Sequence, residues 1–314
     1  MDSSAWLTLA LLAVAVAAWL LATSPQAAGV WLALERRRAG LRLRTAQIPG
    51  FTLPYLEGGR GEPLLLVHGF GADKDNFTRI APFLTQRFRV IALDLPGFGA
   101  ATRDPAARYD IASQVERLRC FIAELGLTRF HLGGNSMGGF IAAQYAANYP
   151  AHVQTLWLLD AAGCEGAYDT SVIQRYATEG QTALLVRTLD EFDALLATAT
   201  ERPLWLPPAL RRSLALRAIR DQPLHERIFQ EIGTQSPPLD RLCPAITAPT
   251  LIVWGRQDRI LNPGVAAHMQ ALLPHSRCVL LEGVGHMPMV ECPRRVAADY
   301  IAFVESEGRA ERRA

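Results

Sequence analysis

A serine stands between glycines in Gly134-Asn135-Ser136-Met137-Gly138, directly after the apolar run Phe130-His131-Leu132 and ahead of a helical pattern. A G-x-S-x-G turn between strand and helix exposes its serine hydroxyl at the top of a sheet. Gly133, Gly134, Gly138 and Gly139 remove Cβ atoms where the two backbones must approach. Ser136 is therefore a candidate nucleophile, and a plain helix-capping serine would not account for the glycines around it. An alcohol at neutral pH needs a base to take its proton, and the base needs a carboxylate to hold its tautomer.

Among seven histidines, His286 stands out in Gly283-Val284-Gly285-His286-Met287-Pro288, a glycine-lined loop after the last apolar run. His131 lies inside the strand that feeds the serine and reads as a core histidine, while His152, His225, His268 and His275 lie in polar helical or loop contexts and read as solvated. Asp258 follows Leu251-Ile252-Val253-Trp254-Gly255-Arg256-Gln257, and the order Ser136, Asp258, His286 is the one expected when such a turn tops a parallel sheet. Asp94 and Asp160 also end apolar runs, but each precedes a tight turn and reads as its cap. Two backbone N–H groups are candidates for holding an oxyanion: that of Met137, after the serine, and that of Phe70 in His68-Gly69-Phe70-Gly71. Together these residues describe acyl transfer through a covalent intermediate, for which neither a metal nor an organic cofactor is expected. The five cysteines, Cys120, Cys164, Cys243, Cys278 and Cys292, are scattered without a C-x-x-C pair, which leaves disulfide formation open.

These side chains need a scaffold that gathers strand ends. Pro63 to His68, Phe88 to Leu95, Arg129 to Gly133, Val153 to Asp160, Thr250 to Gly255 and Arg277 to Glu282 read as core strands, and Leu41 to Ile48 with Phe51 to Leu56 as edge strands. Helical patterns over Ile111 to Leu125, Met137 to Asn148 and Pro263 to Leu273 alternate with them, which predicts an α/β class with a mostly parallel central sheet and flanking helices. From about Ala162 to Asp240 the alternation stops. There Pro208 to Ile219 and Leu224 to Ile232 read as separate amphipathic helices of a cap. The predicted division is a core of residues 41–161 and 241–314 with a helical cap or lid over 162–240. A helical insert over the carboxyl ends of parallel strands would cover the ligand crevice there.

The front end differs in kind. Between Asp2 and Glu35 there is no charged residue, and Ala5 to Leu21 is apolar but for Thr8. A helix of about 20 such residues crosses a bilayer core, so residues 1–23 read as a transmembrane anchor. A cleavable signal peptide would begin on a basic residue, and here the charge is Asp2. Residues 24–40 read as a juxtamembrane helix, with Trp31 at headgroup depth and Arg36, Arg37, Arg38, Arg42 and Arg44 facing lipid phosphates. A single-pass protein of the cell (inner) membrane is expected. The arginines favour a cytoplasmic catalytic body, and the alanine-rich face at Ala13, Ala15, Ala17 and Ala18 is compatible with a homodimer. A net charge of +2 without a basic stripe argues against nucleic acid as a partner.

From Ile48 to Phe303 the chain resembles the α/β-hydrolase family. Gly61 to Ile80, Gly133 to Tyr149 and Leu251 to Glu291 are most similar to bacterial triacylglycerol lipases and to the membrane-anchored monoacylglycerol lipase branch, and a membrane-bound bacterial phospholipase A is similar in plan. The resemblance implies the α/β-hydrolase fold and a Ser136, Asp258, His286 triad. It is compatible with a periplasmic site. Carbon–carbon bond hydrolases share the G-N-S-M-G-G turn, whereas haloalkane dehalogenases and epoxide hydrolases carry aspartate where Ser136 stands. The expected function is a membrane-anchored carboxylester hydrolase that takes a lipid or fatty-acyl ester at the bilayer. The alternatives are an esterase or carbon–carbon hydrolase of a soluble molecule, and a membrane-tethered binding protein without catalysis.

Overall fold

A computed structural model describes residues 24–180 and 182–311, with Trp6 and residues 12–14. The expected anchor over residues 1–23 thus lies, apart from those few positions, outside the described residues. Among the described residues no helix is long and apolar enough to cross a membrane.

The chain opens with α1 (Pro25–Arg38), then β1 (Leu41–Ile48), β2 (Phe51–Gly58), β3 (Glu62–Val67), the short α2 (Ala81–Leu84) and β4 (Phe88–Leu93). It continues through α3 (Ile111–Glu124), β5 (Phe130–Asn135), α4 (Met137–Asn148) and β6 (Val153–Leu159). Three helices follow without a strand: α5 (Ser171–Glu179), α6 (Leu189–Ala199) and α7 (Pro208–Gln235). The last part is β7 (Thr250–Gly255), α8 (Val265–Leu272), β8 (Ser276–Leu281), α9 (Pro288–Glu291) and α10 (Pro293–Glu311).

The strands form one eight-stranded sheet in the order β1-β2-β4-β3-β5-β6-β7-β8. The β1–β2 and β2–β4 pairs are antiparallel and the rest parallel. Helices cover both faces, so alternate residues of one strand enter opposite cores: Leu65 and Val67 pack on the α3, α4 and α8 side, Leu64 and Leu66 on the α2 and α10 side. This is why the central strands are continuously apolar instead of alternating. β8, expected in the core, is the sheet edge; Leu280 is exposed and Arg277 turns outward to Glu307. α4 stops where the sequence says it must, because Tyr149 precedes Pro150 and leaves the helical region.

Two further expectations need correction here. The helices expected on either side of Pro223 are one continuous helix, α7. Proline forfeits its bond to the fourth residue back, but tertiary ties brace this turn: Arg103 binds Asp221, and Arg227 donates to the Ala107 carbonyl. The second concerns α1, which packs against α7 and β1. Arg36 turns into the body and grips Asp75 through Nε and Nη2, both at 2.6 Å, so it does not face lipid phosphates. Arg37, Arg38 and Arg42 remain exposed.

Candidate active site

The site forms at the carboxyl ends of the parallel strands. At the end of β5 the backbone reverses sharply: Ser136 has φ 56° and ψ −122° and leads straight into α4. The turn requires its glycines, since a Cβ on Gly134 would lie 2.1 Å from the Gly138 carbonyl oxygen, and one on Gly138 would lie 2.1 Å from that of Val67. Strain at a residue with positive φ is kept where the surroundings enforce it. Here Ser136 N–H donates to the Leu159 carbonyl at 3.0 Å, and Asn135 is buried beside it.

β7 and β8 supply the next two candidates. Asp258 lies just past β7, where its Oδ1 accepts the N–H groups of Ile260 at 2.8 Å and Leu261 at 3.0 Å. Its Oδ2 lies 2.7 Å from Nδ1 of His286, in the loop after β8. A proton on Nδ1, held by the carboxylate, leaves Nε2 as an acceptor. The His286 loop is tied down at both sides: its N–H donates to the Ala199 carbonyl at the end of α6, and Asn135 Nδ2 donates to the His286 carbonyl at 3.1 Å. Asn135 thus links the Ser136 turn to the His286 loop.

Ser136 and His286 line one cavity, together with Gly69 and Phe70 from the loop after β3. A Cβ on Gly69 would stand 3.1 Å from Ser136 Cβ, so the loop carrying the Phe70 N–H passes close to the serine. Met137 opens α4, and its N–H is among those that a helix start leaves without an intrahelical acceptor. The cavity has two kinds of wall. α6, α7 and the loops beside them give Leu184, Val186, Phe192, Leu195, Leu196 and Leu210, an apolar lining. Towards α1 the lining becomes charged, with Glu35, Asp73, Asp75, Arg79 and Arg217.

Charge in this second region is paired. Lys74 Nζ meets Asp94 Oδ2 at 2.8 Å with both side chains buried, and Arg217 meets Asp73. Burial alone would raise the Asp73 pKa, but the Arg217 guanidinium and the Lys74 ammonium outweigh it and hold the carboxyl well below the usual range.

The other titratable residues divide. His131 is buried in β5, with Nδ1 2.9 Å from Thr155 Oγ1, as a core histidine would be. Asp94 closes its turn by accepting Ala100 N–H at 2.8 Å. His225, expected on the surface, is 6% exposed and packs on Phe70 and Phe98. The continuous α7 lays this face on the core, and burial pushes the imidazole down to about 4. Asp160, expected to cap a turn, is fully buried and instead accepts Gly255 N–H across to β7. Asp160, Asp258 and His286 bring potential ligand atoms within 4.8 Å of one another. Nδ1 and Oδ2, 2.7 Å apart, are hydrogen-bonded to each other, so the two atoms that a cation would need are already paired.

The sheet order and the cavity at the strand ends fit an enzyme of the hydrolase type, and the comparisons agree. Residues 62–293 match the alpha/beta hydrolase fold family, and the chain belongs to it as a serine hydrolase of the lipase class. Lipase 1 of Psychrobacter immobilis is 35% identical over 274 residues, covering 86% of each chain. Monoacylglycerol lipase ABHD6 of Homo sapiens is 30% identical over 286 residues, covering 86% of this chain and 84% of its own. Among solved structures, a membrane phospholipase A described as a novel bacterial virulence factor is 40% identical, with a TM-score of 0.88 over 96% of this chain and 98% of its own.

Proposed function

We propose that the protein is a membrane-anchored carboxylester hydrolase that releases fatty acids from lipids, with Ser136, His286 and Asp258 as its triad. The observation that carries this reading is the apolar cavity under α6 and α7, which opens on Ser136 and His286 together. His286 Nε2 takes the Ser136 proton as Oγ attacks the ester carbonyl, and the N–H groups of Phe70 and Met137 hold the oxyanion. Collapse expels the alcohol, protonated by His286, and water activated by the same imidazole then releases the acid. Leucine-lined walls suit an acyl chain, and the charged end of the cavity suits a polar headgroup. The lipase, monoacylglycerol lipase and membrane phospholipase A among its relatives support a lipid ester as substrate. The apolar residues 1–23 support anchoring in the cell membrane, with residues 162–240 as the cap.

The test uses full-length protein and Ser136→Ala with p-nitrophenyl esters of short and long chain, monoacylglycerol and phospholipid. Loss of turnover in the variant and preference for long acyl chains are expected. Equal turnover by the variant sinks the catalytic assignment, and activity confined to short soluble esters or to a vinylogous diketone sinks the lipid one. Deleting residues 1–23 should move the protein from the membrane fraction to the supernatant; continued sedimentation with membranes counts against the anchor.

A further inference from the structure

Asp160 directly follows β6 at φ 43° with its side chain fully out of solvent. Its Oδ1 accepts the Gly255 N–H at 2.9 Å, but Oδ2 is buried with no donor among the described residues. An orphaned carboxyl oxygen costs free energy unless something satisfies it. What lies beside it is Asp258, within the 4.8 Å cluster that also holds His286. Two buried carboxylates within side-chain hydrogen-bonding reach of each other do not both ionise; one proton between them satisfies both.

The donors decide which residue keeps that proton. Asp258 accepts from Ile260, Leu261 and His286, whereas Asp160 accepts from Gly255 alone. The charge therefore rests on Asp258. Glu291 adds further negative potential from α9, and burial first, then the Glu291 charge, raises the Cys292 thiol beside it. Burial first, then the Asp258 and Glu291 charges, raise the Asp160 carboxyl well above the ordinary range.

We infer that Asp160 is a positioning residue of this site: as a carboxylic acid it donates a hydrogen bond to the Asp258 carboxylate, fixing the orientation and charge density with which Asp258 holds His286. The inference rests on the triad reading above. It assigns β6 a part in a site otherwise built from the ends of β3, β5, β7 and β8. Asp160 touches no substrate and acts through Asp258.

The experiment compares kcat/KM against pH for wild type, Asp160→Asn, Asp160→Ala and Ser136→Ala on a p-nitrophenyl ester. Asparagine keeps a donor without charge, so its kcat should stay within about fivefold of wild type and its acid limb within about 0.3 unit. Alanine removes the donor; kcat should fall by about tenfold or more at similar KM. Its acid limb should move to higher pH, because an Asp258 carboxylate without its donor stabilises the imidazolium more strongly. A fall of the asparagine limb by more than about one unit would mean that Asp160 had carried a negative charge beside His286, and overturns the inference. Matching profiles for alanine and asparagine overturn it too. If alanine does not fold, as a thermal melt would show, the asparagine limb still decides. Ser136→Ala with wild-type turnover would defeat the triad reading itself, a result distinct from either.

Discussion

His225 makes the packing of α7 acid-sensitive in a way that can be measured. The imidazole lies 4.9 Å from the Phe98 ring and 5.5 Å from Phe70, with Nε2 buried and without a partner among the described residues. Burial lowers it to about 4 from 6.5, and neither Asp221 nor the Gly97 carbonyl offsets that. Between those values the unfolded chain binds a proton that the folded chain refuses, so stability falls as pH drops through this window and levels off below it. The 2.5-unit gap corresponds to about 3 kcal/mol when fully traversed, of which about 2.5 kcal/mol is lost near pH 4.5. Against a typical total of about 5–15 kcal/mol this is a large share. His225→Asn keeps a donor for the Gly97 carbonyl and cannot take up the proton. Urea unfolding of both proteins near pH 7.5 and near pH 4.5 cancels the titrations they share. The wild-type advantage should shrink by about 2.5 kcal/mol at the lower pH. An unchanged difference would refute the assignment of His225 as a neutral, buried wall residue.

Gly134→Ala would drive a Cβ to 2.1 Å from the Gly138 oxygen and 2.3 Å from its carbonyl carbon. A cost of about 3 kcal/mol and loss of Ser136 labelling by a fluorophosphonate are expected, and normal labelling would contradict the turn geometry. Arg217→Ala leaves the buried Asp73 with Lys74 as its remaining cation, which should cost about 3 kcal/mol at neutral pH in chemical denaturation. Because Asp73 is held below its unfolded value, that contribution is present above about pH 4 and should fade as pH falls through the folded value; a pH-independent loss would exclude the ion pair as its source. Leu196→Trp narrows the apolar wall, so turnover of long-chain p-nitrophenyl esters should drop by about tenfold relative to short-chain ones. An equal effect on both would place the acyl chain elsewhere.

Much of this arrangement was legible in the sequence because the signals were local. The G-x-S-x-G turn fixes strand, serine and helix within a few residues, and the runs before Asp258 and His286 show that both follow strands. Continuous β-branched and leucine runs revealed a sheet covered on two faces. Where the outcome depended on distant partners, the reading failed. Pro223 looked like a break because propensity is local, whereas the contacts of Asp221 with Arg103 and of Arg227 with the 105–107 loop come from more than 100 residues away. His225 looked solvated for the same reason, since its neighbours Phe70 and Phe98 lie far back in the chain. Asp160 carried a signal of a kind, an aspartate ending a strand beside the strand of the serine. A turn cap leaves the same trace.

The loop after β3 shows how such distant contacts bear on the site. Three successive residues beyond Phe70 each hold a different element. Asp73 binds Arg217 of α7, Lys74 binds Asp94 at the end of β4, and Asp75 binds Arg36 of α1. The partners of Asp73 and Asp75 lie 144 and 39 residues away in sequence. Buried ion pairs add little net stability when compared with apolar packing, but they tolerate few alternative geometries, because each unpaired charge left behind is costly. The loop therefore takes its position from α7 and from α1 together as well as from the sheet. Phe70 is fixed in the same way, its ring edge-on to Phe98, His225 and Phe229. A displacement of α1 or α7 would strain the backbone that carries the Phe70 N–H, the candidate oxyanion donor beside Ser136. In this fold the helix that follows the apolar N-terminus and the helix that lines the cavity meet on one short loop, and that loop borders Ser136, the proposed nucleophile.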